Sequence, residues 1–190
     1  MISTTIILTL FSFLSFTSST PIHRRQSPLD PATTPFYLVT TTSPDAANKS
    51  SSLPNVNATS FYSPPPTSPT YNLRLIGPGY GSLPDFTLTN GVLSTLTTTP
   101  MGTGYAVYNS TATTSNTALA FAAADEGQGC LSLEGAGGIG KGGYLLAKDG
   151  ETEGWTVCLD PVEEEPIIYW QGTDSSCKAV YLQAVVNPPY

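Results

Sequence analysis

Histidine, cysteine and basic residues are scarce in this 190-residue chain, which has one histidine, three cysteines and seven Lys and Arg residues. Ser-His-Asp and Cys-His catalysis need an imidazole, and so do the usual histidine metal sites. Phosphate binding needs clustered Lys and Arg, whereas the formal net charge here is −7. The sequence therefore predicts a non-enzymatic protein with no nucleic-acid partner, no metal and no cofactor.

Long apolar runs are also missing. The run at residues 6–16 is shorter than the roughly 20 residues that span a bilayer, and small residues follow it. We therefore expect a signal peptide at residues 1–19, a secreted protein and no transmembrane anchor. The dibasic pair Arg24-Arg25 resembles a kexin-type cleavage site, so residues 20–25 are a candidate propeptide that would remove His23. The alternative is that the pair is not cleaved and is simply two solvent-exposed charges in a flexible leader segment.

Three sequences match the N-glycosylation acceptor pattern N-x-[ST]. They begin at Asn48, Asn57 and Asn109. Because the signal peptide predicts passage through the secretory pathway, we expect at least one of these asparagines to carry a glycan. The prediction is thus a secreted glycoprotein, located in the extracellular space or the cell wall.

The odd number of cysteines predicts one disulfide and one remaining thiol in an oxidising compartment. Cys158 and Cys177 each flank a strand-like run, with an acidic, proline-containing turn between them. We expect these two to pair, and closure of a loop of about 20 residues stabilises a fold by about 3 kcal/mol. Cys130 is then expected to be a buried, small apolar residue.

Strand-like runs separated by Gly, Asp or Pro recur at short intervals after Tyr71. The clearest is a hairpin around Asn90-Gly91, a pair that suits a type I′ turn. This rhythm predicts an all-β fold, a single compact antiparallel domain at residues 26–190 that forms a barrel, a trefoil-like fold or a sandwich. Residues 40–70 are rich in Ser, Thr and Pro, and we expect them to be a disordered insertion, a loop or linker.

Two patterns suggest chemistry but have simpler explanations. Residues 135–142 match G-x-G-x-x-G, but the strand-like residues that follow predict a β-connection rather than a phosphate-binding loop before a helix. Eleven of the fourteen acidic residues lie from Asp125 onward, and a glycosidase needs two carboxylates across a cleft. Most of these acids adjoin Gly or Pro, so we expect them to be solvated turn residues.

Aromatic residues could form a sugar-stacking platform, although core packing explains most of them. Tyr169 and Trp170 are adjacent, so a regular strand directs them to opposite faces and leaves one for a ligand. We take Trp170 as the first candidate for a ligand-facing aromatic residue and Tyr169 as the second.

The order of motifs resembles that of a known group of proteins. The motifs are F-Y-L-V-T, Y-x-L-x-L, F-x-L-x-N-G-x-L and a closing segment G-W-x-V-C, Y-W and C-x-A-V-x-L-x-A. This organisation resembles small secreted proteins of filamentous fungi and is distantly similar to phialide-type cell-wall proteins, over residues 36–186. The resemblance implies a wall-associated or extracellular role and provides no catalytic motif. The polar insertion and the unpaired Cys130 depart from the pattern.

Three functions follow, in order of preference. The first is a secreted, non-enzymatic glycoprotein that is associated with the cell wall or has an extracellular structural role. The second is a carbohydrate-binding or effector-like secreted module. The third is a small glycoside hydrolase with two carboxylates. The expected partners are cell-wall polysaccharide or extracellular proteins.

Overall fold

The computed structural model describes residues 34–44, 53–60, 70–77, 79, 81–98, 104–123, 127–136, 143–161 and 164–187. The predicted signal peptide, propeptide and Asn48 lie outside them. The described residues form strands and no helix, so none of them forms a helix that could cross a membrane. The strands are β1 (Tyr37–Thr41), β2 (Asn55–Ser60), β3 (Tyr71–Leu75), β4 (Phe86–Thr89), β5 (Val92–Thr98), β6 (Tyr105–Ser110), β7 (Thr117–Ala118), β8 (Ala120–Ala122), β9 (Leu131–Ala136), β10 (Gly143–Lys148), β11 (Trp155–Leu159), β12 (Pro166–Trp170), β13 (Lys178–Ala179) and β14 (Tyr181–Val185).

All strand pairings in the described part of the chain are antiparallel, and they connect into one sheet. The main order is β4-β5-β6-β8-β3-β2-β1-β14-β10-β9, and β11, β12, β13 and β7 branch from β3. The two ends of this order meet, because the amide of Leu131 donates to the carbonyl of Gly91 at 3.0 Å. The sheet is therefore a nearly closed barrel, and the all-β prediction is confirmed.

The turn between β4 and β5 has the predicted geometry. Asn90 has φ 52° and Gly91 has φ 81°, the two positive values that a type I′ turn requires. Pairing runs from Phe86 opposite Thr95 to Thr89 opposite Val92, so this turn sets the register of the hairpin. In the glycine-rich segment, Gly135 and Ala136 belong to β9 and pair with Tyr144 and Gly143 of β10 in an antiparallel arrangement, and residues 137–142 lie outside the described residues.

The interior is filled by apolar residues that alternate along the strands. Trp155 and Trp170 pack edge to face, with ring centroids 4.8 Å apart. The indole nitrogen of Trp155 donates to the carbonyl of Leu146 at 2.8 Å, so its N–H group has a hydrogen-bond acceptor although the ring is buried. The largest completely buried side chains are Trp155, Phe36, Phe86, Phe121, Leu38, Leu73, Leu93, Leu119, Leu146, Ile167, Ile168 and Leu182.

The prediction that residues 40–70 form a disordered loop or linker is wrong for Asn55–Ser60. These residues are β2, which lies between β1 and β3 in the sheet. Val56 and Ala58 are buried in the core at 1% and 0% exposure, and the polar residues that alternate with them face the other side of the sheet. The period-two pattern was hidden because its apolar members are few and small, so the overall polar composition dominated the prediction.

Candidate functional site

The hairpin of β11 and β12 separates its side chains onto two faces. Trp155 pairs with Trp170, and both side chains lie in the core. Cys158 pairs with Ile167 and Thr156 pairs with Tyr169, and these four side chains lie on the opposite face.

Trp170 is therefore not the ligand-facing aromatic residue, because only 5% of it is exposed and it packs on Trp155. Tyr169, the second candidate, is half-buried on the outer face. The sequence predicted correctly that the two residues diverge, but it did not show which face of the hairpin meets the core.

Cys158 and Cys177 form the predicted disulfide. It joins β11 to the segment before β13, and the Thr156 hydroxyl accepts a hydrogen bond from the amide of Gly172 at 3.1 Å beside it. Gly172 packs so closely that an added Cβ would lie 2.5 Å from the Cys158 sulfur. Cys130 has a free thiol that is only partly buried, and burial raises its pKa.

An open pocket of about 640 Å³ lies on this outer face, beside the disulfide. Its wall includes both cysteines and the aromatic ring of Tyr169. Asn116 reaches the rim from the loop before β7, where its side-chain oxygen accepts a hydrogen bond from the amide of Thr173 at 3.1 Å. The pocket is lined by Asn116, Cys158, Leu159, Asp160, Pro161, Glu164, Tyr169, Asp174, Ser176 and Cys177.

Acidic residues dominate the electrostatics of this pocket. The pKa of the Tyr169 phenol is raised, first by burial and then by the nearby charges of Asp160 and Asp174. The pKa of Asp174 is lowered because the backbone amide and the hydroxyl of Ser176 donate hydrogen bonds to its carboxylate. At neutral pH the pocket thus presents a protonated phenol, a donor, beside an ionised carboxylate, an acceptor.

This arrangement is suited to binding polar, uncharged or positively charged groups. Hydroxyl groups of a ligand can donate to carboxylate oxygens, and a sugar ring can lie against an aromatic ring. A glycosidase acid needs a raised carboxyl pKa, whereas that of Asp174 is lowered. Among the described residues, no group of three or more His, Cys, Asp and Glu side chains is placed to hold a metal ion.

The predicted glycosylation sites differ in their surroundings. Asn57 is 2% exposed, and its side-chain nitrogen donates to the carbonyl of Ile76 at 2.8 Å. A glycan at this site would attach to that same nitrogen, which is buried in the folded protein, so the surroundings of Asn57 do not favour its glycosylation. Asn109 is half-buried on β6, and its side-chain oxygen accepts a hydrogen bond from the hydroxyl of Ser94 at 2.7 Å.

Sequence reasoning missed two features near the pocket. Glu164 and Asp174 are exposed, as expected of solvated turn residues, but the sequence did not predict that they and Asp160 line one pocket, where the disulfide and the β11–β12 hairpin bring their turns together. Glu165, one of the acidic residues after Asp125 that were expected to be solvated, forms an ion pair with buried Arg74 at 2.8 Å. A basic residue inside an alternating apolar strand was the only signal for this pair.

The pocket, the disulfide and the barrel are the features from which a function can be argued. The chain matches no protein-family model, and comparisons with curated proteins and with solved structures gave no significant match.

Proposed function

We propose that this chain is a secreted, non-enzymatic glycoprotein of the cell wall or the extracellular space, which binds carbohydrate through the pocket beside Tyr169. The observation that carries the proposal is the combination of a half-buried aromatic side chain and polar side chains in one open pocket. Carbohydrate sites commonly combine an aromatic ring that contacts the apolar face of a sugar with groups that bind its hydroxyls.

The rigidity of this site supports the proposal. Tyr169 lies on a strand whose other face carries Ile168 and Trp170 in the core, so its backbone position is fixed. The disulfide fixes another part of the pocket wall. A preformed pocket loses little conformational entropy when a ligand binds, which favours binding of weakly interacting polymers.

The hydrogen bonds that Asp174 accepts suit this residue to ligand binding and not to the role of a catalytic acid. A retaining or inverting glycosidase needs one carboxyl group that stays protonated near neutral pH. Asp174 is held in the ionised form by Ser176, so it is suited to accept hydrogen bonds rather than to donate a proton. The disulfide also suits an oxidising, extracellular compartment.

The test is co-sedimentation of the secreted protein with insoluble chitin, β-glucan and isolated fungal walls, with albumin as the protein control. The variant is Tyr169→Ala, and the matched control is Tyr105→Ala, because Tyr105 is 74% exposed and does not line the pocket. We expect saturable binding to one polymer, a loss of about tenfold in affinity for Tyr169→Ala and no change for Tyr105→Ala.

Three outcomes would count against the proposal. Absence of binding above albumin to all three materials would refute the carbohydrate site and direct the search to extracellular protein partners. Equal weakening by both substitutions would place binding elsewhere than the pocket. Release of soluble sugar from any of the polymers would instead favour the hydrolase.

A further inference from the structure

The pocket beside the disulfide receives its acidic side chains from two turns. The first turn follows β11, where the amide of Glu164 donates to the carbonyl of Asp160 at 2.9 Å. In the second turn, the amide of Cys177 donates to the carbonyl of Asp174 at 3.0 Å. Asp160 lies two residues after Cys158, so the disulfide holds both turns at the same pocket. Three acidic side chains thereby line one opening.

The described part of the pocket wall contains no Lys or Arg to balance these acids. Arg74 and Lys148 form ion pairs with acidic residues that do not line the pocket. Lys178 is close in sequence but is also absent from the wall. Among the described residues, neither Glu164 nor Asp174 forms an ion pair. A ligand with a positive charge would therefore find carboxylates that no basic side chain already occupies.

The ring of Tyr169 reports on the electrostatics inside the pocket. Burial has the largest effect in raising the pKa of its phenol, and the charges of Asp160 and Asp174 raise it further. Both carboxylates are thus close enough to interact with a charged group bound beside this ring. A cation is also attracted to the face of a tyrosine ring. The ring and the carboxylates favour the same ligand, one that combines a sugar ring with a positive charge.

Amino sugars that are not acetylated supply this combination. A protonated amine donates up to three hydrogen bonds, and those to an ionised carboxylate are stronger than those between neutral groups. The N-acetyl groups of chitin and the hydroxyl groups of β-glucan carry no charge. We propose that the pocket prefers a polysaccharide with protonated amines, such as deacetylated chitin built of glucosamine units, over neutral chitin and β-glucan. This inference rests on the proposed carbohydrate function and specifies its substrate class.

The test compares the affinities of the secreted protein for two soluble hexasaccharides, one of glucosamine and one of N-acetylglucosamine, which differ only at their nitrogen atoms. Isothermal titration calorimetry is performed at about pH 5, where the amines are protonated. Asp174 is ionised there because its pKa lies below the ordinary value. We expect the glucosamine hexamer to bind about fivefold more tightly, and high salt should reduce this advantage.

A pair of double variants separates the pocket from the net charge of the protein. Glu164→Gln with Asp174→Asn removes two charges from the pocket, and the new amide at position 174 still offers an oxygen to the amide of Ser176. The matched control is Glu134→Gln with Glu151→Gln, which removes two charges from exposed residues outside the pocket. Both variants have the same net charge, so nonspecific attraction to a cationic sugar is equal. We expect the pocket variant to bind the two hexamers equally and the control to keep the preference.

The inference is overturned if the acetylated hexamer binds as tightly as the glucosamine hexamer, or if the control loses as much of the preference as the pocket variant. It is also overturned if a lysine hexapeptide binds as tightly as the glucosamine hexamer, because the pocket would then recognise amines without a sugar. Binding of both hexamers without preference, if Tyr169→Ala abolishes it, would refute the charge selectivity and leave the carbohydrate site in place. Binding of neither hexamer, together with no co-sedimentation with any polymer, would refute both.

Discussion

Removal of the Cys158–Cys177 disulfide should destabilise the barrel by an amount that follows from the loop it closes. The two cysteines are 19 residues apart. In the chain-entropy model, a closed loop of about 20 residues lowers the entropy of the unfolded chain enough to contribute about 3 kcal/mol at 25 °C. For a domain of this size that free energy corresponds to a fall in melting temperature of about 10 °C.

The variant for this measurement is Cys158→Ala together with Cys177→Ala, because a single substitution would leave a thiol able to pair with Cys130. Thermal unfolding is followed by tryptophan fluorescence, since Trp155 and Trp170 are both buried against each other. Reductant should lower the melting temperature of the parent protein and leave that of the double variant unchanged. An equal melting temperature for the two proteins under oxidising conditions would refute the reasoning.

Three further results are expected. Gly154→Ala should lower the free energy of unfolding by about 3 kcal/mol, because Gly154 has φ 136° and an added Cβ would lie 2.7 Å from the Trp170 ring. The measurement is chemical denaturation. The control is Gly135→Ala, which should lower the free energy of unfolding much less, because Gly135 is a strand position with no atom within 4 Å of an added Cβ. Because the pKa of Tyr169 is raised in the folded protein, the unfolded chain loses this phenol proton at a lower pH than the folded protein does. The free energy of unfolding should therefore decrease as the pH rises above about 10. In a tyrosinate absorbance titration Asp174→Asn should lower that pKa toward its ordinary value, and an unchanged titration would show that the Asp174 charge does not reach the phenol.

Local sequence patterns were sufficient to predict much of the fold. The Asn90-Gly91 turn and the alternating residues on either side define a hairpin without long-range information. The Cys158–Cys177 pair was also predictable, because the chain has three cysteines and these two lie on either side of one acidic, proline-containing turn. Strand β2 was missed because small residues such as Ala58 supply weak periodicity, although complete burial makes them as important to the core as larger ones.

The candidate site was less predictable than the fold. Alternation shows that Tyr169 and Trp170 face opposite sides, but only the packing of β12 against the barrel decides that Trp170 lies inside. The walls of the pocket come from segments far apart in sequence, such as Asn116 and Asp174. No local sequence motif predicts that these residues line the same pocket, because the disulfide and the strand order bring them together.

The pairing of β1 with β14 has a consequence for how the chain acquires its structure. Tyr37 lies opposite Val185, so the first described strand finds its neighbour in the last. During synthesis β1 cannot complete this pairing until β14 has been made, and contacts of such long range make folding slow. Until β14 pairs with it, this edge of β1 is open, and an open strand edge can pair with another chain.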